Sequence, residues 1–368
     1  MKIKDLRVFV AVNDLAGKVW NPKIRWLKKH SVLVEVERDD GACGLGECWC
    51  FDRSPEPLVA FLRHEVAPRL VGQPAGDPAA VSLALMDSAT LGARHGIMAT
   101  AASGVDIALW DLAAREAGRP LWRLLGGADP AVAVYASGGL YGEHKTPEDL
   151  GRELAGLSNA GFTQVKMKVG ALPPAEDEAR VRAARAAIGP SCGLIVDGVY
   201  SFDRAGAAAF HRRIADCRID AFQSPLPADD IAGMAALVAE GVPVMALEAE
   251  YRPLVIRTLL DRRAVTILQF ALVACGGITA AREIVALAGE AGIPCSLEVS
   301  STAVAEMAAF HFAAAHRQVA SVEVHQVHRM LFDLFPATVA QVRDGRITLP
   351  ETPGLGLDLP PERVERWA

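Results

Sequence analysis

Residues 163–198 read TQVKMKVGALPPAEDEARVRAARAAIGPSCGLIVDG, and this stretch decides the fold. A short apolar run, TQVKMKVG, leads through an Ala-rich helical segment to a second apolar run, CGLIVDG. Strand, helix and strand in that order make a βα unit on a parallel sheet. The first run also carries Lys166 and Lys168 two residues apart, and that spacing points both ammonium groups to one face of the strand.

The same texture extends on both sides. AVAVYAS, IDAFQSP, VPVMALE, VTILQFA and IPCSLEV are further short apolar runs separated by Ala-rich helices. Their number fits a (β/α) barrel better than an open sheet, and no glycine-rich phosphate loop follows the first strand to favour a dinucleotide fold. Upstream, MKIKDLRVFVAV, SVLVEVERDD and GACGLGECW read as a small antiparallel sheet with a DDG turn. EPLVAFLRHEVAPRL, GDPAAVSLALMDS and ATAASGVDIALWDLAAREAG then take up a period near 3.6 and read as helices. The expected protein is α/β. An α+β unit covers residues 1–128 and a modified TIM-like barrel residues 129–340, while a Pro- and Gly-rich tail, 341–368, packs back on the first unit.

Composition narrows the function. A chain of 368 residues, 51% hydrophobic and 22% charged, can bury the core of more than one domain. Its net charge of -6, with no long basic run, argues against nucleic acid or an anionic membrane as partner. No uninterrupted apolar run reaches the ~20 residues of a transmembrane helix, and Asp5 and Arg7 break up the N-terminal run before it could serve as a signal peptide. Seven cysteines, an odd number in hydrophobic surroundings, suit free thiols in a reducing cytoplasm. Cys48 and Cys50 lack a partner pair at zinc-like spacing.

In a (β/α) barrel, functional side chains stand at the C-terminal ends of the strands. The polar residues that close these apolar runs are Lys166 and Lys168, Asp197 in LIVDG, Gln223 in AFQSP, Glu248 in VMALEAE and Glu298 in CSLEVSS. A lone acid at a strand end reads as a turn or a helix cap. Asp, Gln and Glu on successive strands, with lysines one strand earlier, instead bring three oxygen donors to one rim, the donor type a hard cation such as magnesium takes.

Taken with SGVDIALWDLAAREAGRPLWRLLGG, VKMKVG, ILQFALVACGGIT and the closing PGLGLDL, these strand ends resemble the enolase superfamily, in its mandelate racemase and muconate lactonizing enzyme branch. The resemblance implies a (β/α)7β barrel under a capping domain built from the N-terminal part and the C-terminal tail. It also implies one magnesium ion on Asp197, Gln223 and Glu248. The family chemistry removes the proton next to a carboxylate to give an enediolate held by the metal, because so weak a carbon acid needs preorganised cations. Lys168 would be the base, with Lys166 depressing its pKa and holding the carboxylate. Relatives of this kind are commonly homo-oligomers.

The departures from the family pattern are as informative. Glutamine at 223 leaves two carboxylates where the family has three, which weakens magnesium binding. Val199 replaces a substrate-contacting asparagine, while Ala271 and Glu298 stand where racemases place an aspartate and a histidine. One base remains recognisable, on the lysine side. Glu298, expected from the lactonizing-type last strand, would protonate a leaving hydroxyl if burial raised its pKa. Tyr200, Arg252 in EAEYRP and Glu323 in SVEVHQVH are the expected substrate contacts. The loops at 20–30 and 49–57 cap the site in the family, and Lys23, Arg25, Lys28 and Lys29 there suit an anionic substrate. His325 and His328, three apart, read as an ordinary loop or helix face.

The expected activity is α-proton abstraction from a small carboxylate, a hydroxy acid or acid sugar, with dehydration as the favoured outcome and epimerisation or cycloisomerisation as alternatives. The rival from another class is a degenerate member that binds a carboxylate without turning it over.

Overall fold

The computed structural model describes residues 1–50, 54–88, 96–248, 250, 252–327 and 341–359. Tyr251 and His328 lie outside the described residues. The N-terminal sheet is built from β1 (Ile3–Asp14), β3 (Lys28–Arg38) and β4 (Cys43–Cys48), antiparallel in the order β1-β3-β4, with β2 (Val19–Trp20) set apart from it. Helix Ile97–Glu116 packs across this sheet at very short range. A Cβ on Gly46 would stand 1.9 Å from the Gly104 carbonyl oxygen, and one on Gly44 2.1 Å from that of Ala108. Only glycine fits there. That helix is long and apolar enough on average to cross a membrane, but Asp106 and Asp111 interrupt it and 83% of its apolar window is buried inside the protein.

The barrel consists of β5 (Ala131–Ser137), β7 (Gln164–Lys168), β8 (Gly193–Asp197), β9 (Ala221–Gln223), β10 (Val244–Ala246), β11 (Ile267–Phe270), β12 (Cys295–Leu297) and β13 (Val319–His325). Each strand pairs in parallel with the next, and β13 pairs back onto β5, which closes the circle. Among the described residues a helix follows each barrel strand from β5 to β12, in keeping with the (β/α)7β reading. The strand missing from the sequence reading is β13. Its inward positions, Ser321, Glu323 and His325, are polar, so no apolar run announces it. Tyr141–Gly142 (β6) leaves the barrel to pair with β2 of the cap. In the tail, Arg346–Thr348 (β14) adds an antiparallel strand to β5. Beyond it, the Leu355 amide donates to Asp111 at 2.7 Å and Arg123 forks onto Glu351, so the tail also lies against the first unit.

Buried carboxylates join the two units. Glu47 on β4, fully buried, accepts from the Thr302 amide at 3.2 Å, the Thr302 hydroxyl at 2.6 Å and the Ala305 amide at 3.1 Å. These are the orphan donors at the start of helix Ala303–Ala315. Asp106, on helix Ile97–Glu116, does the same for helix Gly277–Glu290 through the Thr279 amide at 2.9 Å. Asp111 takes the Leu45 amide at 2.9 Å besides that of Leu355. A carboxylate at a helix N-terminus also faces the positive end of the helix dipole.

Removing such a carboxylate strands buried donors, at ~1–3 kcal/mol each. Glu47→Ala is therefore expected to lower the unfolding free energy by about 3 kcal/mol, read from the midpoint of urea denaturation at unchanged slope.

Candidate active site

The strands deliver their polar side chains to one end of the barrel. Lys166 and Lys168 share a face of β7, Asp197 ends β8, Gln223 ends β9, and Glu248 and Glu298 follow β10 and β12. Glu323 comes from β13. Lys166 is almost wholly enclosed, with 1% of its surface exposed. Its Nζ lies 2.7 Å from Glu323 Oε1 and 3.7 Å from Asp197 Oδ2, and donates to Gln223 Oε1 at 2.9 Å. Gln223 Nε2 in turn donates to Glu248 Oε2 at 2.9 Å, so the carboxamide bridges a cation and an anion. Lys168 Nζ donates to Asp197 Oδ2, and Asp197 Oδ1 accepts from the Val199 amide at 2.9 Å.

Behind Glu323 stands a second layer that the sequence did not announce. The Tyr135 hydroxyl donates to Glu323 Oε2 at 3.3 Å and accepts from Gln269 Nε2 at 3.1 Å. Both residues are fully buried in the barrel interior. The polar alternation of AVAVYAS and VTILQFA is the signal that could have found them.

The loops after β8 and β9 are stitched together by the Gly198 amide on Gln223 O at 2.9 Å and the Tyr200 amide on Ser224 O at 2.7 Å. Val199, Tyr200 and Ser224 all take positive φ, at 45°, 57° and 42°. For a β-branched residue this is strained backbone, of the kind that collects where a site needs a sharp turn. The asparagine expected at 199 would tolerate it better than valine.

Charge and burial act together here. Burial alone would lower the Lys166 ammonium, but Glu323, Asp197 and Glu248 outweigh it and hold its pKa above the usual lysine value. Burial pushes Glu248 up to about 7, with Asp197 adding to the rise and the two lysines opposing it. Glu298 is pushed up to about 8, by burial first and then by Glu323 and Glu248. Its carboxyl is therefore neutral near pH 7, while Ala271 beside it supplies no ionisable group. The Tyr200 phenol is likewise raised by burial and by Glu248. His325 is driven well below its normal value by burial, then by Lys168, Lys166 and Lys29. Its Nδ1 accepts from the Val327 amide at 3.3 Å. Lys29 on β3 is itself 3% exposed, a buried lysine contributed by the cap.

Among the described residues, no group of three His, Cys, Asp or Glu side chains gathers at metal-ligand spacing. Gln223, between Asp197 and Glu248, offers a carboxamide oxygen instead of a carboxylate. The donor set still fits a hard cation, with two carboxylates flanking a carboxamide on consecutive strands. Arg252 stands apart from this cluster, forked onto Glu250 at 2.9 and 2.7 Å with 48% of its side chain exposed.

A closed parallel barrel under a cap, with lysines facing carboxyl groups across its mouth, defines a barrel enzyme of acid/base chemistry. Two family descriptions match the chain: the mandelate racemase / muconate lactonizing enzyme N-terminal domain at residues 25–126 and the enolase C-terminal domain-like unit at 149–363. The chain is 30% identical to an arabinonate dehydratase of Saccharolobus solfataricus, over 96% of both chains. It is also 30% identical to a D-galactarolactone cycloisomerase of Agrobacterium fabrum, over 98% of this chain and 97% of that one. A solved racemase from Streptomyces coelicolor with bound magnesium superposes with a TM-score of 0.90, at 26% identity over 100% of this chain and 99% of that one. The chain belongs to the enolase superfamily, in its mandelate racemase and muconate lactonizing enzyme branch, and is a lyase or isomerase.

Truncating one partner of a buried ion pair costs ~3–5 kcal/mol. Lys166→Ala, which leaves Glu323 without its ammonium, is expected to lose stability on that scale, measured by urea unfolding.

Proposed function

We propose that the protein dehydrates a small hydroxy acid or acid sugar, with Lys168 as the base that removes the α-proton and Glu298 as the acid. The observation that carries this reading is the asymmetry of the mouth. Lysines line one wall, and just past β12 and β11 stand Glu298, whose carboxyl pKa burial raises to about 8, and Ala271 in place of a second base. Two-base racemisation needs a base on each face, so this arrangement disfavours it. Cycloisomerisation by the same lysine is the second reading, favoured by the likeness to a cycloisomerase.

Asp197, Glu248 and the Gln223 oxygen would hold one magnesium ion, the metal reported in the racemase neighbour. Bound there, it would supply electrostatic stabilisation of the charge that develops on the substrate carboxylate. The chain's own residues do the rest. Lys166, anchored by Glu323, holds the carboxylate. Lys168 gives up the proton it shares with Asp197 to solvent and, as the free amine, takes the α-proton, while Glu298 gives its proton to the departing hydroxyl, which leaves as water. Tyr200 and Arg252 contact the rest of the substrate, with Arg252 turning from Glu250 to do so. We assign substrate enclosure to a cap made from residues 1–128 and 341–368 over a barrel at 129–340. The free thiols suit a reducing cytoplasm, where this enzyme would act on a soluble substrate.

In magnesium-containing D2O, the wild type should exchange the α-proton of at least one acid in a broad panel, and Lys168→Ala should abolish that exchange. Acids that bind tightly without exchange would point to a binding protein instead. Glu298 is protonated below about 8 and ionised above it, so kcat for dehydration should fall as pH rises through that value. Glu298→Gln should stop product formation while α-proton exchange continues. Gln223→Glu restores a third carboxylate and should tighten magnesium binding by ~10-fold or more in calorimetry.

A further inference from the structure

We propose that Tyr141, Asp177 and Arg180 are positioning residues that couple the docking of the cap's first loop to the alignment of Lys168. The inference rests on the reading of Lys168 as the base. Its starting observation is that Arg180, a buried arginine outside the mouth, spends its guanidinium on the backbone of the base. Arg180 Nη1 donates to the Lys168 carbonyl oxygen at 2.8 Å, and Nη2 donates to Gly139 O at 3.1 Å. Gly139 O also accepts from the Lys168 amide at 3.2 Å. The peptide groups on both sides of the base are thus held from one point.

Arg180 is held in turn. Asp177 Oδ1, 1% exposed, accepts from Arg180 at 2.8 Å and from the Tyr141 hydroxyl at 2.7 Å. Asp177 Oδ2 accepts from the Gly170 amide at 2.7 Å, two residues past the base. The guanidinium also lies 3.9 Å over the Tyr141 ring. The Tyr141 hydroxyl, both Asp177 oxygens and both Nη atoms of Arg180 are used within the protein, as in a brace.

The other end of the brace belongs to the cap. Tyr141 pairs with Trp20 in the β2–β6 ladder, and the two rings stack with centroids 6.3 Å apart and planes at 14°. Arg25 lies over the Trp20 ring at 3.9 Å and reaches Glu143 of the barrel at 3.2 Å. The path from the cap loop to the base is contiguous: Trp20, Tyr141, Asp177, Arg180, Lys168. When the loop docks, the tyrosine is fixed from above, and the base is fixed with it. Alignment of the general base then follows cap closure instead of preceding it, and misplacement by a fraction of an ångström is costly to rate.

Two measurements on the full-length protein test this. Hydrogen exchange followed by mass spectrometry should show the Lys168 and Gly170 amides exchanging roughly tenfold faster in Trp20→Ala and in Tyr141→Phe, with Trp20→Phe restoring protection. Unchanged protection in Trp20→Ala would overturn the coupling. In the α-proton exchange assay, Tyr141→Phe should lower kcat on the order of 10-fold or more with KM nearly unchanged. A purely structural role would lower thermal stability and leave kcat per folded molecule alone, which would overturn the positioning role. If wild type exchanges no acid at all, the proposed function fails, and the amide protection data still decide whether the brace transmits loop docking.

Discussion

The mouth of this barrel depends on one buried ion pair. An ammonium with 1% of its surface exposed carries a desolvation cost of several kcal/mol, which only close carboxylates and hydrogen bonds can offset. Lys166 has Glu323 at 2.7 Å and a carboxamide oxygen at 2.9 Å. Lys166 stands on β7, its two partners come from β13 and β9, and Tyr135, which steadies Glu323, comes from β5. The seam where β13 meets β5 is where the sheet becomes a barrel. The pair therefore spans the closure itself, and the geometry of the remaining acids follows from it.

Substituting glutamine for a third carboxylate fits the same economy of charge. A glutamate at 223 would add negative charge beside Glu248, which burial and Asp197 already push to about 7. Glutamine serves Lys166 with its oxygen and Glu248 with its nitrogen, so one uncharged group links the two. On the proposed magnesium site, one fewer anionic ligand would compete with the ion's hydration shell.

Much of this was legible in the chain because strands and side chains obey simple periodicities. The spacing of Lys166 and Lys168 placed them on one face, and the acids closing apolar runs marked the rim. What stayed hidden depends on closure. β13 alternates polar residues into a barrel interior, so Glu323 and His325 do not look like part of a strand until the neighbouring strand is known. Tyr135 and Gln269 read as core positions, and their hydrogen bonds exist only because strands far apart in sequence meet. Arg252 was legible as a charge near the rim, but Glu250, two residues away, holds it in the structure. Glu47 and Asp106 sit in runs that read as strand and helix, and nothing local says that their partners lie in the second half of the chain.

That last feature has a consequence for synthesis. The ribosome delivers Glu47 and Asp106 well before Thr279, Thr302 and Ala305, the donors they serve. Until those arrive, the nascent cap carries carboxylates whose native sites are dry only when two barrel helices stand against them, and they stay hydrated instead. The cap can form its sheet early but not its final packing. Domains of many proteins mature in order of emergence; here the first unit made is finished only when the last barrel helices leave the tunnel.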